Sequence, residues 1–131
     1  MKAVDTNVLL RFFIRDDEEQ FQKAARFFSE CSNEKPAFIT SVVLVEFTWT
    51  LRTGYKYRRE DIAGILTQML RSGELRIEHF DEVQKATELY QSGEAEGFAD
   101  AYAGLIALKE SCEETVTFDR KAAQLEFYSE I

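Results

Sequence analysis

The chain opens with MKAVDTNVLLRFF, residues 1–13, and this stretch decides the fold. Residues 2–5, KAVD, have the short apolar pattern of a strand, and the apolar run over residues 7–14 predicts a short helix. An acidic side chain, Asp5, stands at the junction of the two. The opening therefore predicts a strand that passes directly into a helix, with a carboxylate at the end of the strand.

The rest of the chain repeats this alternation. Further strands are predicted at AFIT (37–40), LRIEHF (75–80) and TVTF (115–118), and the tail FYSEI (127–131) can add an edge strand. Helices are predicted over residues 41–52, 81–92 and 98–112, on apolar stripes from Phe21 to Cys31 and from Ile62 to Met69, and over a last short stretch, 120–126. Asp16 with Glu19 resembles a capping box. Because parallel strands need crossovers, which are usually helices, the alternation predicts an α/β fold with a parallel sheet covered on both faces.

Length and composition indicate one domain, residues 1–131, with a solid core. Hydrophobic residues make 45% of the chain and Phe occurs 11 times, so no disulfide or structural metal is needed. No apolar run approaches the roughly 18 residues of a membrane span, and no signal peptide is recognisable. We therefore expect a cytoplasmic protein that does not bind a membrane. In that compartment Cys31 and Cys112 are expected to be buried free thiols.

The net charge argues against bulk attraction of nucleic acid. It is −8, whereas such attraction usually comes from clustered Lys and Arg. A phosphate-bearing substrate would therefore have to be held by a local basic patch or by a bound cation.

Two acidic residues close predicted strands at the same edge of the sheet. Asp5 follows strand one and Asp119 follows strand four. In open α/β sheets the ligand crevice lies beyond the carboxyl ends of the strands. This rule brings Asp5 and Asp119 to one edge.

Two more acids stand in apolar helical segments. Glu46 lies within SVVLVEFTWTL and is expected to be buried, where an ionised carboxylate is costly unless it is paired or bound to a cation. Asp100 lies in GFADAYAGLIAL at the start of an apolar helix. Each of Asp5, Asp100 and Asp119 also has a structural alternative, as a helix cap or as a first-turn acid that complements the helix dipole.

Four carboxylates at one place repel each other unless a cation compensates them. Hard oxygen ligands without a His or Cys cluster favour Mg²⁺ or Mn²⁺ over zinc. The reaction that such a donor set predicts is metal-assisted hydrolysis of a phosphate ester.

These residues lie in four motifs that together resemble the PIN-domain ribonucleases, and most closely the VapC-type toxins of toxin–antitoxin pairs. The motifs are DTNVLL (5–10), SVVLVEFTWTLR (41–52), GFADAYAGLIAL (97–108) and TVTFDRK (115–121). Each is weak alone, but their order over nearly the whole chain makes the resemblance specific.

The resemblance implies a Rossmann-like central parallel sheet of four to five strands, flanked by helices, and an Mg²⁺ or Mn²⁺ site for endonucleolytic RNA cleavage. Asp5, Glu46, Asp100 and Asp119 would form the acidic quartet, as catalytic residues and metal ligands. Asn7 would orient the site, and Thr117 stands where the family usually has Ser or Thr beside the metal. The implied partners are an RNA substrate, a cognate antitoxin protein and a second copy in a homodimer.

Basic residues near the motifs are candidate RNA contacts. The connection RTGYKYRR, 52–59, interleaves cations with two Tyr residues and could track a backbone and stack a base, or it could be a solvated connection. The candidates are Arg11, Arg52, Lys56, Arg58 and Arg120. His79, the single histidine, is expected to be structural, and Glu96 could join the site or stay in a solvated loop.

Other functions are open at this level. A haloacid-dehalogenase-like phosphatase would use Asp5 as nucleophile, but it requires a second Asp two residues on, where this chain has Asn7. A PIN-like domain could instead process RNA without being a toxin, or serve as a catalytically silent interaction module.

Overall fold

The computed structural model describes residues 1–131, and its first elements are those that the opening stretch predicts. Strand β1 (Lys2–Ala3) leads through Asp5 into helix α1 (Thr6–Phe13). The later elements are α2 (Glu18–Ser29), β2 (Ala37–Ile39), α3 (Ser41–Thr53), α4 (Arg59–Arg71), β3 (Leu75–Ile77), α5 (Phe80–Ser92), α6 (Phe98–Lys109), β4 (Thr115–Thr117), a 3₁₀ turn (Ala122–Gln124) and β5 (Tyr128–Glu130). The α/β alternation is confirmed.

The main sheet has three parallel strands in the order β1-β2-β3, so the prediction of four to five strands in one sheet is wrong. β4 pairs in parallel with β5 in a separate two-stranded sheet, where Thr115 stands opposite Tyr128. β1 is only two residues long and offers few backbone groups to a further neighbour, whereas the C-terminal segment supplies β4 with a ladder of three residues.

One hydrophobic core joins the helices to the strands. Helix α5 packs against both α4 and α6, and α1 packs against α2 and α3. The largest side chains with almost no exposure are Tyr102, Phe47, Leu9, Ile39, Leu44, Leu51, Ile62, Leu66, Met69 and Val83. They come from α1, β2, α3, α4, α5 and α6, so the core fixes the relative positions of the helices that carry or adjoin Asp5, Glu46 and Asp100.

Helix α2 is capped by Asp17 and not by Asp16. The Asp17 carboxylate accepts a hydrogen bond from the backbone amide of Gln20 at 3.0 Å. Asp16 instead accepts from Arg11, at 3.2 Å, and from the hydroxyl of Tyr55, also at 3.2 Å. The predicted capping box of Asp16 and Glu19 is therefore wrong, because Asp16 is held by Arg11 and Tyr55 and a simple Asp17 cap takes its place.

The chain after β4 does not form the predicted last helix over residues 120–126. Only the 3₁₀ turn Ala122–Gln124 forms there, because the backbone becomes extended at Leu125 and enters β5. The tail strand is therefore confirmed as β5.

The cysteines are less buried than expected. Both thiols are free, with Cys31 half-buried and Cys112 exposed just beyond the end of α6. None of the six α-helices has the length and apolar composition needed to cross a membrane.

Candidate metal site

Asp5 stands at the carboxyl end of β1 as the N-cap residue of α1. Its side chain is exposed and accepts no capping hydrogen bond from the helix, so the structural alternative for this acid has no support. It lines a groove of about 570 Å³ between β1, α1 and α2, together with Lys2, Asn7, Arg11 and Lys23. The carboxylate is available to a ligand.

Glu46 lies on the exposed face of α3, so the expectation that it is buried is wrong. The helix buries Leu44, Phe47, Thr48 and Leu51 and leaves Val42, Glu46 and Trp49 on its opposite face. The apolar neighbours in the sequence are divided between the two faces, so they do not surround the carboxylate. Burial therefore gives no argument for a cation at Glu46.

Asp100 and Asp119 are the members of the quartet that the fold brings together. Asp100 is the third residue of α6 and is half-buried. Burial raises the pKa of its carboxyl group, and the nearby charge of Asp119 raises that pKa further. Asp119 is exposed, and its Oδ1 accepts from the backbone amides of Lys121 at 2.8 Å and Ala122 at 3.4 Å. The negative charges of the two carboxylates disfavour each other, and the neighbouring Lys121 amine pairs with Glu96 instead of with either one.

The donor chemistry fits a hydrated hard cation at this pair. Mg²⁺ usually keeps several waters and takes one or two protein carboxylates, and a divalent charge offsets the repulsion between Asp100 and Asp119. The residues do not form a closed cage, because no three His, Cys, Asp or Glu side chains lie close enough together to hold one ion. Asp5 and Glu46 are thus not gathered with the pair.

Comparisons with known proteins point to the same family as the four acidic motifs. The family model of the PIN domain matches residues 2–128. The chain belongs to the PIN-domain family. A VapC ribonuclease from Aquifex aeolicus (strain VF5) is 31% identical over 128 residues, which cover 97% of this chain and 93% of that protein. The resemblance to the VapC-type PIN domains is confirmed, and all four acids lie inside the matched range.

Asn7 and Thr117 lie beside two of the acids in this PIN domain. Asn7 is exposed in the first turn of α1 and lines the same groove as Asp5. Thr117, the last residue of β4, accepts a hydrogen bond at its Oγ1 from the backbone amide of Asp119 at 2.9 Å. This contact fixes the start of the turn that presents Asp119.

The sequence analysis missed Glu78, an acid at the end of β3 in the sheet that also contains β1. It follows β3, and its Oε1 accepts from the backbone amide of Ser41 at 2.7 Å. Hydrogen bonds from the backbone and then from the side chain of Ser41 lower the pKa of Glu78. The Tyr102 hydroxyl lies 2.8 Å from the Ser41 hydroxyl and donates to the Glu78 carbonyl at 3.0 Å, which ties α3 and α6 to the end of β3. The strand-end rule did not find Glu78, because the predicted strand LRIEHF (75–80) runs past it, whereas the observed β3 ends at Ile77.

Most of the candidate RNA contacts are held by protein groups. Arg11 binds Gln20, Asp16 and Tyr55, Arg52 donates to the Tyr57 carbonyl at 3.0 Å, and Arg120 lies 3.4 Å from Glu130. Lys56 and Arg58 are exposed, with Arg58 at the N-cap of α4. Tyr55 and Tyr57 pack partly against the core. The 52–59 connection has the features of a structural linker, and its contact with RNA stays a prediction.

His79 and Glu96 both make contacts away from Asp100. His79 is the N-cap residue of α5 in the left-handed conformation, with its Nδ1 3.4 Å from the Lys109 amine. Glu96 lies 4.0 Å from Arg59 and 3.6 Å from Lys121. Both side chains therefore interact with cations of the scaffold.

Proposed function

We propose that the protein is an Mg²⁺- or Mn²⁺-dependent endoribonuclease and the toxin component of a VapBC-type toxin–antitoxin pair. The observation that carries the proposal is the repelling Asp100–Asp119 pair in a chain that is 31% identical to a VapC ribonuclease. The pair has the charge and the oxygen donors that a divalent cation requires, and the family provides the reaction class. The Asn at position 7 argues against the dehalogenase-like alternative.

In this proposal the four acids have different roles. Asp100 and Asp119 hold the cation, and Thr117 fixes the turn that carries Asp119. By the resemblance Asp5 is a further catalytic carboxylate and metal ligand, and Asn7, which lines the same groove along β1, orients the site there. Glu46 belongs to the proposed quartet by the resemblance alone, because it lies on the exposed face of α3 and is not gathered with the pair.

A bound Mg²⁺ or Mn²⁺ would activate a water, orient the phosphodiester and stabilise charge on the leaving oxygen. The chain itself provides the carboxylates that accept protons and bind the ion. Its acidic surface repels phosphates at long range, so the substrate must be held by short-range contacts at the site. Lys2, which lines the Asp5 groove, is a cation suited to that role, whereas Lys23 in the same groove pairs with Glu19 at 3.2 Å.

The substitution Asp5→Asn tests in cells whether the protein is a nuclease. Inducing the wild type is expected to arrest growth and to create recurrent new RNA ends in a transcriptome-wide map, whereas Asp5→Asn, which removes one carboxylate without changing side-chain size, is expected to create neither. Glu88→Gln, an exposed acid on α5, is the control and should behave like the wild type. Identical maps for wild type and Asp5→Asn would favour a catalytically silent module, and new ends without growth arrest would favour RNA processing over toxicity.

The proposal includes two protein partners, a cognate antitoxin and a second copy of this chain. Support for the second copy comes from α3, where Val42 is 77% and Trp49 64% exposed. Beside Trp49 an apolar groove of about 580 Å³ runs between α3 and α6, where Ala99 and Ala103 leave space. The exposed Trp49 ring and the groove between α3 and α6 lie on the same face of the protein. This arrangement suits a homodimer with twofold symmetry, in which the Trp49 ring of each copy enters the groove of the other.

Trp49→Ser is therefore expected to convert the dimer into a monomer. Truncating a buried aromatic anchor costs about 2–4 kcal/mol of association free energy, so the dissociation constant should rise at least about 30-fold. Light scattering at several concentrations measures this change. Phe80→Ser, at an exposed ring on α5 away from the groove, is the control. A wild type that is monomeric at high micromolar concentration, or a Trp49→Ser dimer of unchanged affinity, would rule out this interface.

A further inference from the structure

Arg59, the first residue of α4, holds the loop that leads into α6. Its Nη1 donates to the carbonyl oxygens of Tyr90 at 2.8 Å and Ala95 at 2.7 Å, and its Nη2 donates to the carbonyl oxygen of Glu96 at 3.4 Å. The guanidinium also lies over the Tyr90 ring, 4.8 Å from its centre. A planar guanidinium holds several acceptors in a fixed geometry, which the single ammonium of Lys does not. Arg59 thus ties the end of α5 to the start of α6.

The loop is also held by Ala95, whose side chain is buried in the core and whose amide donates to the Leu89 carbonyl at 3.0 Å. It begins at Gly93, which ends α5 with a φ of 85°, and it ends at Gly97, where no side chain caps the first turn of α6. Arg59 is the one residue outside the loop whose side chain hydrogen-bonds its backbone carbonyls. Buried Phe98 and the Tyr128 hydroxyl, which donates to the Asp100 carbonyl at 2.7 Å, anchor the first turn of α6. Because that turn lacks a side-chain cap and follows a glycine-bounded loop, Arg59 supplies the side-chain hydrogen bonds that hold the approach to it.

The same loop is linked to the segment that carries Asp119. The Glu96 carboxylate lies 4.0 Å from Arg59 Nη2 and 3.6 Å from the Lys121 amine, two residues after Asp119. These ion pairs are partly exposed and contribute little by themselves. The three carbonyl contacts of Arg59 are the stronger restraint, and they end only four residues before Asp100.

We propose that Arg59 is a positioning residue that sets the distance between the Asp100 and Asp119 carboxylates by holding the loop before α6. The proposal rests on the function proposed above. Arg59 contacts neither acid, so its effect passes through the backbone of the loop and the first turn of α6. This structural role distinguishes Arg59 from Arg52, Lys56 and Arg58, the candidate RNA contacts in the same 52–59 connection.

The test compares Arg59→Gln and Arg59→Lys with Arg71→Gln, an exposed residue at the other end of α4. Mn²⁺ affinity is measured by electron paramagnetic resonance without RNA, together with amide hydrogen exchange of residues 93–99 and the melting temperature. Arg59→Gln is expected to weaken Mn²⁺ binding about tenfold or more, as changes that disturb the support of a ligand usually do, and to accelerate exchange in the loop. Arg59→Lys should fall between Arg59→Gln and the wild type, and Arg71→Gln should match the wild type.

Unchanged Mn²⁺ affinity in Arg59→Gln, measured well below its melting temperature, would overturn the proposal and show that Arg59 serves stability alone. If Arg59→Gln does not fold, Arg59→Lys is judged by the same criterion. A wild type that binds Mn²⁺ but leaves RNA intact contradicts the nuclease and leaves the Arg59 result valid. A wild type that binds no Mn²⁺ overturns the metal site, and the role of Arg59 with it.

Discussion

Asp100→Asn is expected to abolish RNA cleavage while leaving the fold at least as stable as that of the wild type. The substitution keeps the shape of the side chain and removes a charge that the proposed ion needs. Loss of a direct ligand should reduce kcat/KM by more than the roughly 10- to 100-fold seen for changes in supporting residues. A gain in stability is expected for a separate reason, since burial and the neighbouring Asp119 both disfavour the ionised carboxyl group of Asp100.

The sign of the pH dependence follows from the direction of that shift. The folded-state pKa of Asp100 is raised above its ordinary value of 3.8, so the folded chain holds a proton that the unfolded chain has already released. Stability from this group is therefore greatest at low pH and falls as pH rises through the interval between the two pKa values. The melting temperature of Asp100→Asn should exceed that of the wild type at neutral pH, and the difference should shrink as pH approaches 4.

Melting curves and single-turnover cleavage of RNA substrates from the cellular map measure both effects. Glu88→Gln again serves as the control, because it removes an exposed carboxylate elsewhere on the surface. Cleavage by Asp100→Asn within a few-fold of the wild type would remove Asp100 from the site. A lower melting temperature would instead reveal a structural role, and the loss of activity would then say nothing about metal binding.

The helices could be predicted from the sequence because their signals are local. Apolar periodicity and flanking polar or Gly residues placed α1, α3 and α5 within about two residues of their observed bounds. The capping of α2 failed because Asp16 has partners on α1 and at Tyr55, 39 residues away. Strand pairing failed for a similar reason, since three-residue strands carry little pattern and the partner of β4 is determined by contacts that no local pattern contains.

The site could be predicted in part. The helix-start position of Asp100 was correct. The expectation that Asp5 and Asp119 end strands at one edge of a single sheet was wrong, because β4 leaves the main sheet and pairs with β5. The burial of Glu46 was wrong because α3 is apolar on both faces, so an apolar neighbourhood in the sequence did not identify the buried face. The contacts of Glu78 and Arg59 join residues 31–37 positions apart, and they become visible only after folding.

Divalent cations are expected to stabilise the wild type and to restore cleavage after chelation. A ligand that binds only the folded state adds about 2.7 kcal/mol at a concentration 100 times its dissociation constant. For a domain of this size that corresponds to a rise in melting temperature of roughly 5–15 °C. The physical source of the gain is the positive charge that an ion would bring to the half-buried Asp100 carboxylate and its neighbour Asp119, since burial and that neighbour both disfavour ionised Asp100.

The decisive comparison is between the wild type and Asp100→Asn, titrated with Mn²⁺ and Mg²⁺ after treatment with EDTA. The wild type should gain melting temperature with either ion, whereas Asp100→Asn has lost the repulsion and one ligand and should gain little. KCl at matched ionic strength separates specific binding from screening, which acts on all 24 acidic side chains alike. An equal rise in both proteins, or with KCl, would mean that the ion is not held at Asp100 and Asp119, because only a bound ion requires this particular pair of carboxylates.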